Sequence, residues 1–376
     1  MSAYGTTRHQ STVTGPYTTP ASTILFRRLS WEGTVPLEIR VDSKELPDNS
    51  DRGLECYYIQ APRVAYLPLL LPSIKNYLMD VVFDETAGKT LKEEDWWFEN
   101  EDGTLLKWHW PIGLIYDNHT ISSKSLSNAA ALADATAPLR IIMHLASPPA
   151  DKLLMQPNPE ACKQAFMGQM KEADFIRWGN TKRMTSIRKQ EQDGMWEGVK
   201  DHNFDEYWRV ASKIIPTTSP VRPQSPPPSS SVSMHTRPPS ADGALPSDKD
   251  GAYNVRSVPV RIYLPDGPVL QDLVPPLLED GSPHTLSRYL SHLIPLLFPP
   301  KPSTTTTAAR PPLPASFPGG RPSTTPSASD ARSSMAFALI QGVLAPGESE
   351  MAWLGACLTG ADGWLNVCVG LRTDHR

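Results

Sequence analysis

The chain has 376 residues, and its 36 basic and 40 acidic side chains give a formal net charge of −4. A balance so close to neutral provides no global attraction to nucleic acid or to an anionic membrane, so either kind of binding requires a local basic patch. No apolar run reaches the ~20 residues of a membrane-spanning helix, and the four widely spaced cysteines predict reduced thiols. We therefore expect a cytoplasmic protein that binds no nucleic acid.

Three segments are too poor in apolar residues to fold. Residues 217–252 and 299–335 are dominated by Pro, Ser and Thr, and residues 1–22 form a polar stretch without the features of a signal peptide. Too little surface can be buried there to offset the entropy of ordering the chain, so we predict a disordered tail, linker and insert. The folded blocks are 23–148, 155–215 and 253–376, the last of them containing the insert.

The first block combines strand and helix signals. VPLEIRV (35–41) alternates apolar and polar residues and predicts a half-buried strand, whereas LRIIMHL (139–145) is a nearly continuous apolar strand. ECYYIQ (55–60) and RVAYL (63–67) are two further β-rich pieces. WWFENEDGTLLKWHWPIGLIYD (96–117) contains four of the ten tryptophans, a density that favours a packed core over a recognition surface.

The second block is helical and contains a lysine in an unusual setting. A helix through FMGQMKEADFIRW (166–178) has one apolar face, formed by Cys162, Phe166, Met170 and Ala173. Lys171 lies well away from this face. Its neighbours at helical spacing are nevertheless apolar: Met167 four residues before it, Phe175 four after and Trp178 seven after. The sequence thus predicts a second apolar patch around a lysine that faces water.

The third block has the pattern of a small α+β domain with a mixed sheet. VPVRIYL (258–264) predicts a strand and HTLSRYLSHLI (284–294) predicts a helix. FALIQGVL (337–344) and WLNVCVGL (364–371) predict further strands. These patterns leave the order of the strands within the sheet open.

Motifs of known enzymes are missing from the sequence, which contains no GxSxG, no HExxH and no paired metal-ligand spacing. AGKT (87–90) resembles the end of a phosphate-binding loop. That loop needs a glycine five residues before Gly88, where this chain has Phe83. We therefore expect no catalytic residue, no cofactor and no metal, and no enzymatic activity in the chain alone.

A basic run extends from Arg177 to Lys189 and contains five basic and no acidic side chains. Two interpretations are open, a contact for phosphate groups or anionic lipids and a solvated helix face. Lys171 is likewise either an ordinary surface lysine or a reactive one. Glu172 and Asp174 favour its charged form, which excludes an activated base or a Schiff-base amine. The remaining chemical role is a nucleophile toward an activated acyl group that another enzyme delivers.

Several segments, in chain order, resemble the autophagy protein 5 family. The most specific is WFENEDGTLLKWHWPIGLIYD (97–117), which is similar to the family's aromatic-acidic strand, its Gly-x-x-Leu-Lys-Trp-His stretch and its aromatic-Pro-Ile-Gly-Leu turn. Further similar segments are RRLSWEGTVPLEIRV, YYIQAPRVAYLPLL, FMGQMKEADFIR, FDEYWRV, VPVRIYL, GSPHTLSRYL and WLNVCVGL. They extend over about residues 23 to 371, apart from the two Pro/Ser/Thr-rich segments.

The resemblance implies an α+β fold with two ubiquitin-like β-grasp domains, at 23–148 and 253–376, flanking a helix-rich domain at 155–215. It also implies that Lys171 accepts the carboxy-terminal glycine of a ubiquitin-like modifier, autophagy protein 12, in an isopeptide bond. Enzymes similar to ubiquitin's activating and conjugating enzymes would deliver the modifier, so the chain is a scaffold rather than a catalyst. Autophagy protein 16 is expected to insert an amino-terminal helix into a groove bounded by all three domains.

The resemblance further implies that the conjugate acts like a ligase. It would promote transfer of autophagy protein 8 to phosphatidylethanolamine during autophagosome formation, with the chain recruited peripherally to the preautophagosomal (phagophore) membrane. We interpret Met167, Phe175 and Trp178 as modifier contacts. Lys182 and Arg183 are candidate membrane contacts. Two alternatives stay open: a non-covalent membrane-associated adaptor whose lysine is unmodified, and an enzyme with a cryptic site.

Overall fold

A computed structural model of the protein describes residues 20–46, 56–83, 91–123, 137–153, 158–218, 251–265, 267–300 and 334–372. The predicted tail, linker and insert lie almost entirely outside these residues. At the margins of the linker, Thr217 forms a β-bridge with Gly251, and Ala252 is buried. In the described part of the chain, no helix is both long enough and apolar enough to cross a membrane.

Two sheets and a helical region follow one another along the chain. In order, the elements are α1 (Pro20–Glu32), β1 (Thr34–Val41), β2 (Cys56–Pro62), α2 (Leu67–Val81), β3 (Trp97–Asn100), α3 (Ile112–Ser123), β4 (Leu139–His144), α4 (Pro159–Trp178), α5 (Lys182–Ser186), α6 (Lys189–Lys200), α7 (Phe204–Ala211), β5 (Val258–Tyr263), β6 (Val269–Val274), α8 (Leu286–Leu293), β7 (Ala336–Ile340), β8 (Val343–Leu344), α9 (Met351–Cys357) and β9 (Leu365–Leu371). A 3₁₀ turn at Glu93–Asp95 precedes β3.

The first sheet has the strand order β2-β1-β4-β3. β1 forms an antiparallel hairpin with β2 and pairs in parallel with β4, while β3 joins β4 antiparallel. The predicted strand β1 is confirmed, and Leu37 and Ile39 are buried in the core, but Glu38 between them is buried as well, so exposure does not alternate strictly. α2 connects β2 to the region of β3 and contributes Leu67, Leu71 and Ile74 to the same core. This core holds the first domain together.

Residues 63–67 do not form the β-rich piece predicted from their composition. β2 ends at Pro62, whose carbonyl accepts the N–H of Ala65 in a turn that leads into α2. Pro68 lies in the first turn of that helix, where the missing proline N–H would have no helical partner. Helix initiation at this proline therefore overrides the strand preference of the residues before it.

The second sheet has the strand order β6-β5-β9-β7-β8. β5 and β6 form a hairpin, β5 pairs in parallel with β9, and β7 pairs antiparallel with both β9 and β8. Gln341 and Gly342 make the two-residue turn between β7 and β8, with φ angles of 52° and 76°. Both φ angles lie in the left-handed region, as a type I′ hairpin turn requires.

The two sheets share one plan: a hairpin, a helix after the hairpin, and a last strand that lies parallel to the first. This is the β-grasp topology of ubiquitin-like domains. The predicted fold class, two such domains flanking a helix-rich region, is therefore confirmed.

The helical region between the sheets, α4 to α7, has its own hydrophobic core. Phe166, Trp196 and Tyr207 are central to it. Trp31 of α1 and Trp108 of the first domain pack into the same cluster. The predicted core role of the tryptophan-rich segment is thus confirmed for Trp108, which connects the first domain to the helices.

Buried polar contacts join the helical region to the second ubiquitin-like domain. Arg177, in the last turn of α4, donates to the carbonyl of Gly363, and Tyr207 Oη donates to the carbonyl of Ala361 at 3.0 Å. Burial lowers the pKa of the Arg177 guanidinium to about 10. Arg177 is only 1% exposed, so it belongs to this interface and not to the basic surface predicted from the run that it begins.

Arg63 and Asp117 form a buried ion pair where the two ubiquitin-like domains meet. The Asp117 carboxylate also accepts the N–H of Gly342, in the β7–β8 turn, at 2.9 Å. Burial raises the pKa of Asp117, although the charge of Arg63 and this N–H oppose the shift. A Cβ at position 342 would lie 2.8 Å from Arg63 Nη1, so both the turn and the packing require glycine there.

We expect Asp117→Ala to lower the free energy of unfolding by about 3–5 kcal/mol, because it leaves the Arg63 guanidinium buried without its counter-charge. Urea unfolding measures the loss. The surface pair of Arg140 and Glu101, in which both side chains are about half exposed, provides the control. Glu101→Ala is expected to change the free energy of unfolding by less than about 1 kcal/mol. Equal losses in the two variants would contradict a structural role for the buried pair.

Candidate acceptor helix and interdomain groove

The helix that carries Lys171, α4, is twenty residues long and is capped at both ends. Asn158 Oδ1 accepts the N–H of Ala161 at 2.8 Å, and Pro159 occupies the first helical position. The helix ends at Trp178, and Gly179 caps it with a left-handed φ of 73° and an N–H that donates to the carbonyl of Phe175. These caps define where the helix starts and stops.

The predicted apolar face of α4 is fully buried, with 0% exposure at Cys162, Phe166, Met170 and Ala173. Burial raises the pKa of the Cys162 thiol to about 12, so this sulfur is an inert part of the core. Because an α-helix repeats every 3.6 residues, burial of this face turns Lys171 toward solvent, and its side chain is exposed.

The Lys171 amine has no hydrogen-bond or ion-pair partner among the residues that the structure describes. Its acidic neighbours are engaged elsewhere. Glu172 Oε2 lies 3.4 Å from Arg261 Nη2, and the buried Asp174 carboxylate accepts the N–H of Met184 at 2.9 Å. Burial also raises the pKa of Asp174, with the Met184 N–H opposing. The amine is therefore available to a reagent that approaches from solvent.

The three predicted rim residues differ in how much of each side chain is exposed. Phe175 is 55% exposed. Met167 is half-buried against the helical core, whereas Trp178 is half-buried against the core of the second ubiquitin-like domain. The guanidinium of Arg183 lies 3.8 Å above the Trp178 ring. Phe175 is thus the apolar neighbour of Lys171 with the most surface open to a partner.

The basic run beyond α4 is partly exposed. Lys182 is exposed at the start of α5, and Lys189 is exposed at the start of α6. Arg183 is half-buried against Trp178. The candidate membrane pair therefore consists of one exposed lysine and one arginine that also packs on an aromatic ring.

A groove of about 830 Å³ runs between α1 and the second ubiquitin-like domain. Its apolar lining includes Phe26, Leu29, Val343, Leu344, Trp353, Leu354 and Leu358. Leu29 and Val343 are 57% and 58% exposed, although both are large apolar residues. The rings of Phe26 and Trp353 meet edge to face at 5.1 Å. This surface is apolar enough to accept the non-polar face of a helix.

The polar lining of the groove includes Arg63, Tyr253, Glu348 and Glu350. Tyr253 Oη donates to the Glu350 carboxylate, and burial together with this carboxylate raises the pKa of Tyr253. Gly33 and Arg63 belong to the first domain, so both ubiquitin-like domains and α1 contribute to the walls. A change in how the two domains pack would therefore change the shape of the groove.

Sequence reasoning did not identify the residues of this groove. Leu25 and Leu29 of α1 are four residues apart and more than half exposed, so they lie on one side of the helix. An apolar pair at this spacing that finds no partner in the core is the signal that indicates such a surface. The opposite wall comes from residues more than 200 positions later in the chain, which no local pattern connects to α1.

Three models of one family match the chain and together cover most of it. The model described as "Autophagy protein ATG5, UblA domain" matches residues 30–145, the alpha-helical bundle region of the same protein matches residues 159–217, and its UblB domain matches residues 257–369. The matched ranges correspond to the first sheet, the helical region and the second sheet.

Individual relatives and a solved structure agree with these matches. Autophagy protein 5 of Emericella nidulans is 28% identical over 276 residues, covering 69% of this chain and 71% of the relative. The Aspergillus oryzae protein of the same name is 26% identical over 371 residues, covering 93% and 98%. The crystal structure of Kluyveromyces marxianus Atg5 superimposes with a TM-score of 0.59 at 18% identity, covering 92% of this chain and 98% of that one. That likeness supports the overall fold.

Proposed function

The chain belongs to the autophagy protein 5 family, and from that premise we propose that Lys171 is the acceptor of a ubiquitin-like modifier, autophagy protein 12. The chain therefore has a role in autophagy, and it contains two ubiquitin-like domains. The proposed product is an isopeptide bond between the Lys171 amine and the carboxy-terminal glycine of the modifier. The chain is then a scaffold and a substrate, with no catalytic group of its own.

The proposed reaction is acyl transfer to an amine. The modifier arrives as a thioester on the cysteine of a conjugating enzyme, and Lys171 Nζ attacks the thioester carbonyl. The C–N bond forms, the C–S bond breaks, and the sulfur leaves as a thiol with a proton from the amine. Activation of the acyl group belongs to the modifier's own ATP-dependent enzymes, since this chain supplies only the nucleophile.

The observation that supports this proposal is the free, exposed amine of Lys171 on a capped helix. Lys163 on the same helix offers a contrast, because its Nζ lies 2.9 Å from Asp193 Oδ1 and would have to leave that ion pair before reacting. The test is tryptic mass spectrometry of the chain after incubation with the modifier, its activating and conjugating enzymes and ATP. We expect a branched remnant on Lys171. The proposal would be contradicted if the folded chain carried no adduct in a system that modifies another acceptor.

Phe175 is the proposed contact for the attached modifier, with Met167 and Trp178 as its partly buried neighbours. Tethering raises the effective concentration of a weak contact into the mM range. We expect Phe175→Ser to leave conjugation at Lys171 unchanged but to lower downstream lipidation roughly 5- to 30-fold, because burying an aromatic side chain contributes about 1–2 kcal/mol. The lipidation rate of purified conjugates measures this effect.

Tyr58→Ser is the matched control for the Phe175 experiment, since Tyr58 is also a well-exposed aromatic, at 63%, but lies on the first sheet. Its lipidation rate is expected to equal that of the wild type. Trp178→Ala is a poorer probe, because Trp178 also packs on the second-domain core. Lipidation that falls equally in the Phe175 and Tyr58 variants would assign Phe175 no contact role.

The groove is the proposed site for the amino-terminal helix of autophagy protein 16. Its apolar lining between α1 and the second ubiquitin-like domain fits the non-polar face of an amphipathic helix. The bound helix would bury Leu29 and Val343, which are otherwise exposed. In this proposal, the conjugate and its bound helix together promote transfer of autophagy protein 8 to phosphatidylethanolamine at the preautophagosomal (phagophore) membrane.

Lys182 and Arg183 are proposed to contact that membrane peripherally. Each basic side chain near an anionic surface contributes about 1 kcal/mol, so Lys182→Glu is expected to lower vesicle binding roughly 5- to 30-fold. Co-flotation with vesicles of phosphatidylethanolamine and an anionic lipid measures the change. Lys200→Glu is the control, because Lys200 is exposed but paired with Glu197 at 2.8 Å. Vesicle binding that is unaffected by reversal of Lys182 would leave this segment a solvated helix face.

The second candidate function is a non-covalent adaptor that uses the same groove with Lys171 unmodified. The apolar groove supports this adaptor function, because a helix can bind there without any conjugation step. The two candidates differ in one outcome: an adaptor would support membrane recruitment equally well in wild-type and Lys171→Arg chains.

A further inference from the structure

A cluster of one histidine and three carboxylates lies at one end of the first ubiquitin-like sheet. His144 is the last residue of β4, and Asp42 directly follows β1. Because these two strands are parallel, their carboxyl ends meet at the same edge. Glu45 lies in the turn after Asp42, where its backbone N–H donates to the Asp42 carbonyl. Glu99 comes from β3, which is the antiparallel neighbour of β4.

The side-chain distances bring three ligand-type atoms together. His144 Nδ1 lies 3.1 Å from Glu45 Oε1 and 3.5 Å from Asp42 Oδ2. All three atoms lie within 4.8 Å of one another. For bonds of about 2.0–2.2 Å to a tetrahedral zinc ion, neighbouring ligand atoms are about 3.3 Å apart. The spacing of His144 to its two carboxylates therefore already matches a coordination shell.

Further contacts also fix the orientation of the His144 imidazole. Its side chain is 8% exposed, and the Trp97 ring stacks on it with centroids 3.9 Å apart. Nε2 lies 3.1 Å from Glu99 Oε1, an electrostatic contact without the alignment of a regular hydrogen bond. The other oxygen of Glu45 accepts the backbone N–H of Leu145, which fixes that carboxylate. The ring therefore has little freedom to turn away from the carboxylates.

The nitrogen atoms of the imidazole face carboxylates on both sides. Nδ1 faces the oxygens of Asp42 and Glu45. Nε2 is buried and has no hydrogen-bond partner within the described residues, although Glu99 Oε1 lies 3.1 Å away. A cation between Nδ1 and the carboxylates of Asp42 and Glu45 would have three ligand atoms around it and would offset their negative charge.

The carboxylates of this cluster have no basic side chain beside them. Within the described ranges, no lysine or arginine forms an ion pair with Asp42, Glu45 or Glu99, so three carboxylates surround one imidazole. An imidazole nitrogen with carboxylate oxygens is a donor set that suits first-row transition metals, whereas Ca²⁺ and Mg²⁺ prefer oxygen alone.

We infer that this cluster binds one divalent transition-metal ion, with zinc as its representative, through His144 Nδ1, Asp42 and Glu45. Asp42 and Glu45 are 23% and 24% exposed, so a water molecule can reach the fourth coordination position. Glu99 is a positioning residue, because its Oε1 lies 3.1 Å from Nε2 and could accept the Nε2 hydrogen bond that supports a metal-binding histidine. The ion would join the ends of β1 and β4 and, through Glu99, β3.

The site is not apparent in the sequence because its ligands are far apart in the chain. Asp42 and Glu45 are about 100 residues from His144, and only the parallel pairing of β1 with β4 brings them together. A metal bound by the folded sheet, but by no unfolded arrangement of these residues, stabilises the native state by linkage. We therefore expect the thermal midpoint to rise with metal concentration.

The test is a zinc titration of the chelator-treated full-length chain, followed by calorimetry and by thermal unfolding. We expect one zinc per chain and a thermal midpoint that rises with zinc but not with Mg²⁺ or Ca²⁺. Asp42→Asn and His144→Gln should abolish this binding event, while Glu99→Gln should keep the stoichiometry and weaken affinity roughly 10- to 100-fold. Asp102→Asn is the control, since Asp102 is an exposed carboxylate in the turn after β3.

Anomalous X-ray scattering at the zinc edge gives an independent readout of position. A peak among His144, Asp42 and Glu45 would support the inference even if a variant folds poorly. Absence of saturable zinc binding would overturn it, and so would binding that is unchanged in both Asp42→Asn and His144→Gln. In the first case the cluster is a set of polar contacts that binds no ion, and in the second the zinc is bound elsewhere on the chain.

Discussion

A chain carrying Lys171→Arg is expected to form no conjugate with the modifier under conditions in which the wild-type chain is fully modified. Arginine preserves the charge, the length and the helix preference of the lysine side chain. The nitrogen lone pairs of the arginine guanidinium are delocalised, and the group stays protonated in proteins, so arginine cannot attack a thioester. Loss of conjugation would therefore come from lost nucleophilicity and not from an altered surface.

Lys163→Arg is the matched control for this result. Lys163 lies two turns earlier on the same helix, and its ion pair with Asp193 can be kept by arginine. This variant should be modified at the wild-type rate, and circular dichroism should show equal folding of both variants. Transfer of the adduct to another lysine in the Lys171→Arg chain would contradict a specific acceptor. It would indicate that the conjugating enzyme selects a surface region and not this amine.

Val343→Asp is expected to weaken binding of the helix proposed to occupy the groove, that of autophagy protein 16, roughly 30- to 1000-fold, which corresponds to a loss of about 2–4 kcal/mol at a central contact. Val343 is 58% exposed in the free chain, so the substitution should leave the fold intact. In the complex, the new carboxylate would lie under an apolar helix face without a partner, and its lost hydration would oppose binding.

The control for this experiment is Leu273→Asp. Leu273 is 56% exposed on β6 of the same domain but does not line the groove. Isothermal titration with the synthetic helix should give wild-type affinity for this variant. If Val343→Asp and Leu273→Asp bind equally well, the helix is seated elsewhere and the groove has another occupant. Combining Val343→Asp with Lys171→Arg would then show whether helix binding and conjugation act independently.

The groove and the buried ion pair are physically connected, which bears on both experiments. Arg63 lines the groove and pairs with Asp117, and Asp117 also holds the β7–β8 turn through Gly342. Val343 directly follows that turn. Asp117→Ala should therefore weaken helix binding as well as stability, because one wall of the groove loses its anchor to the first domain.

Local patterns in the sequence determined the secondary structure where one period was clear. The 3.6-residue spacing of Cys162, Phe166, Met170 and Ala173 predicted both the helix and its buried face, since burial of one face is the main source of helix stability in a protein. The same spacing predicted that Lys171 faces solvent. The alternation in β1 and the apolar strands β4 and β9 also predicted strands, and composition distinguished the folded blocks from the Pro/Ser/Thr-rich segments.

Local patterns failed where a neighbour in space changed the meaning of a residue. The sequence predicts Arg177 to be the first member of a basic surface run. In the structure its buried guanidinium donates a hydrogen bond to a carbonyl of the second ubiquitin-like domain. Trp178 reads as part of the Lys171 rim, yet it packs on that same domain. Residues 63–67 read as a strand, yet Pro68 starts a helix directly after them.

The sequence by itself thus determined the strongly periodic strands and helices and the exposed lysine, because each depends on residues close in the chain. Only the tertiary structure decided the groove between α1 and β8, the ion pair of Arg63 with Asp117 and the cluster around His144. These sites join residues that lie tens to hundreds of positions apart, and their proximity is fixed by strand order and domain packing. No periodicity in a sequence encodes which strand lies beside which.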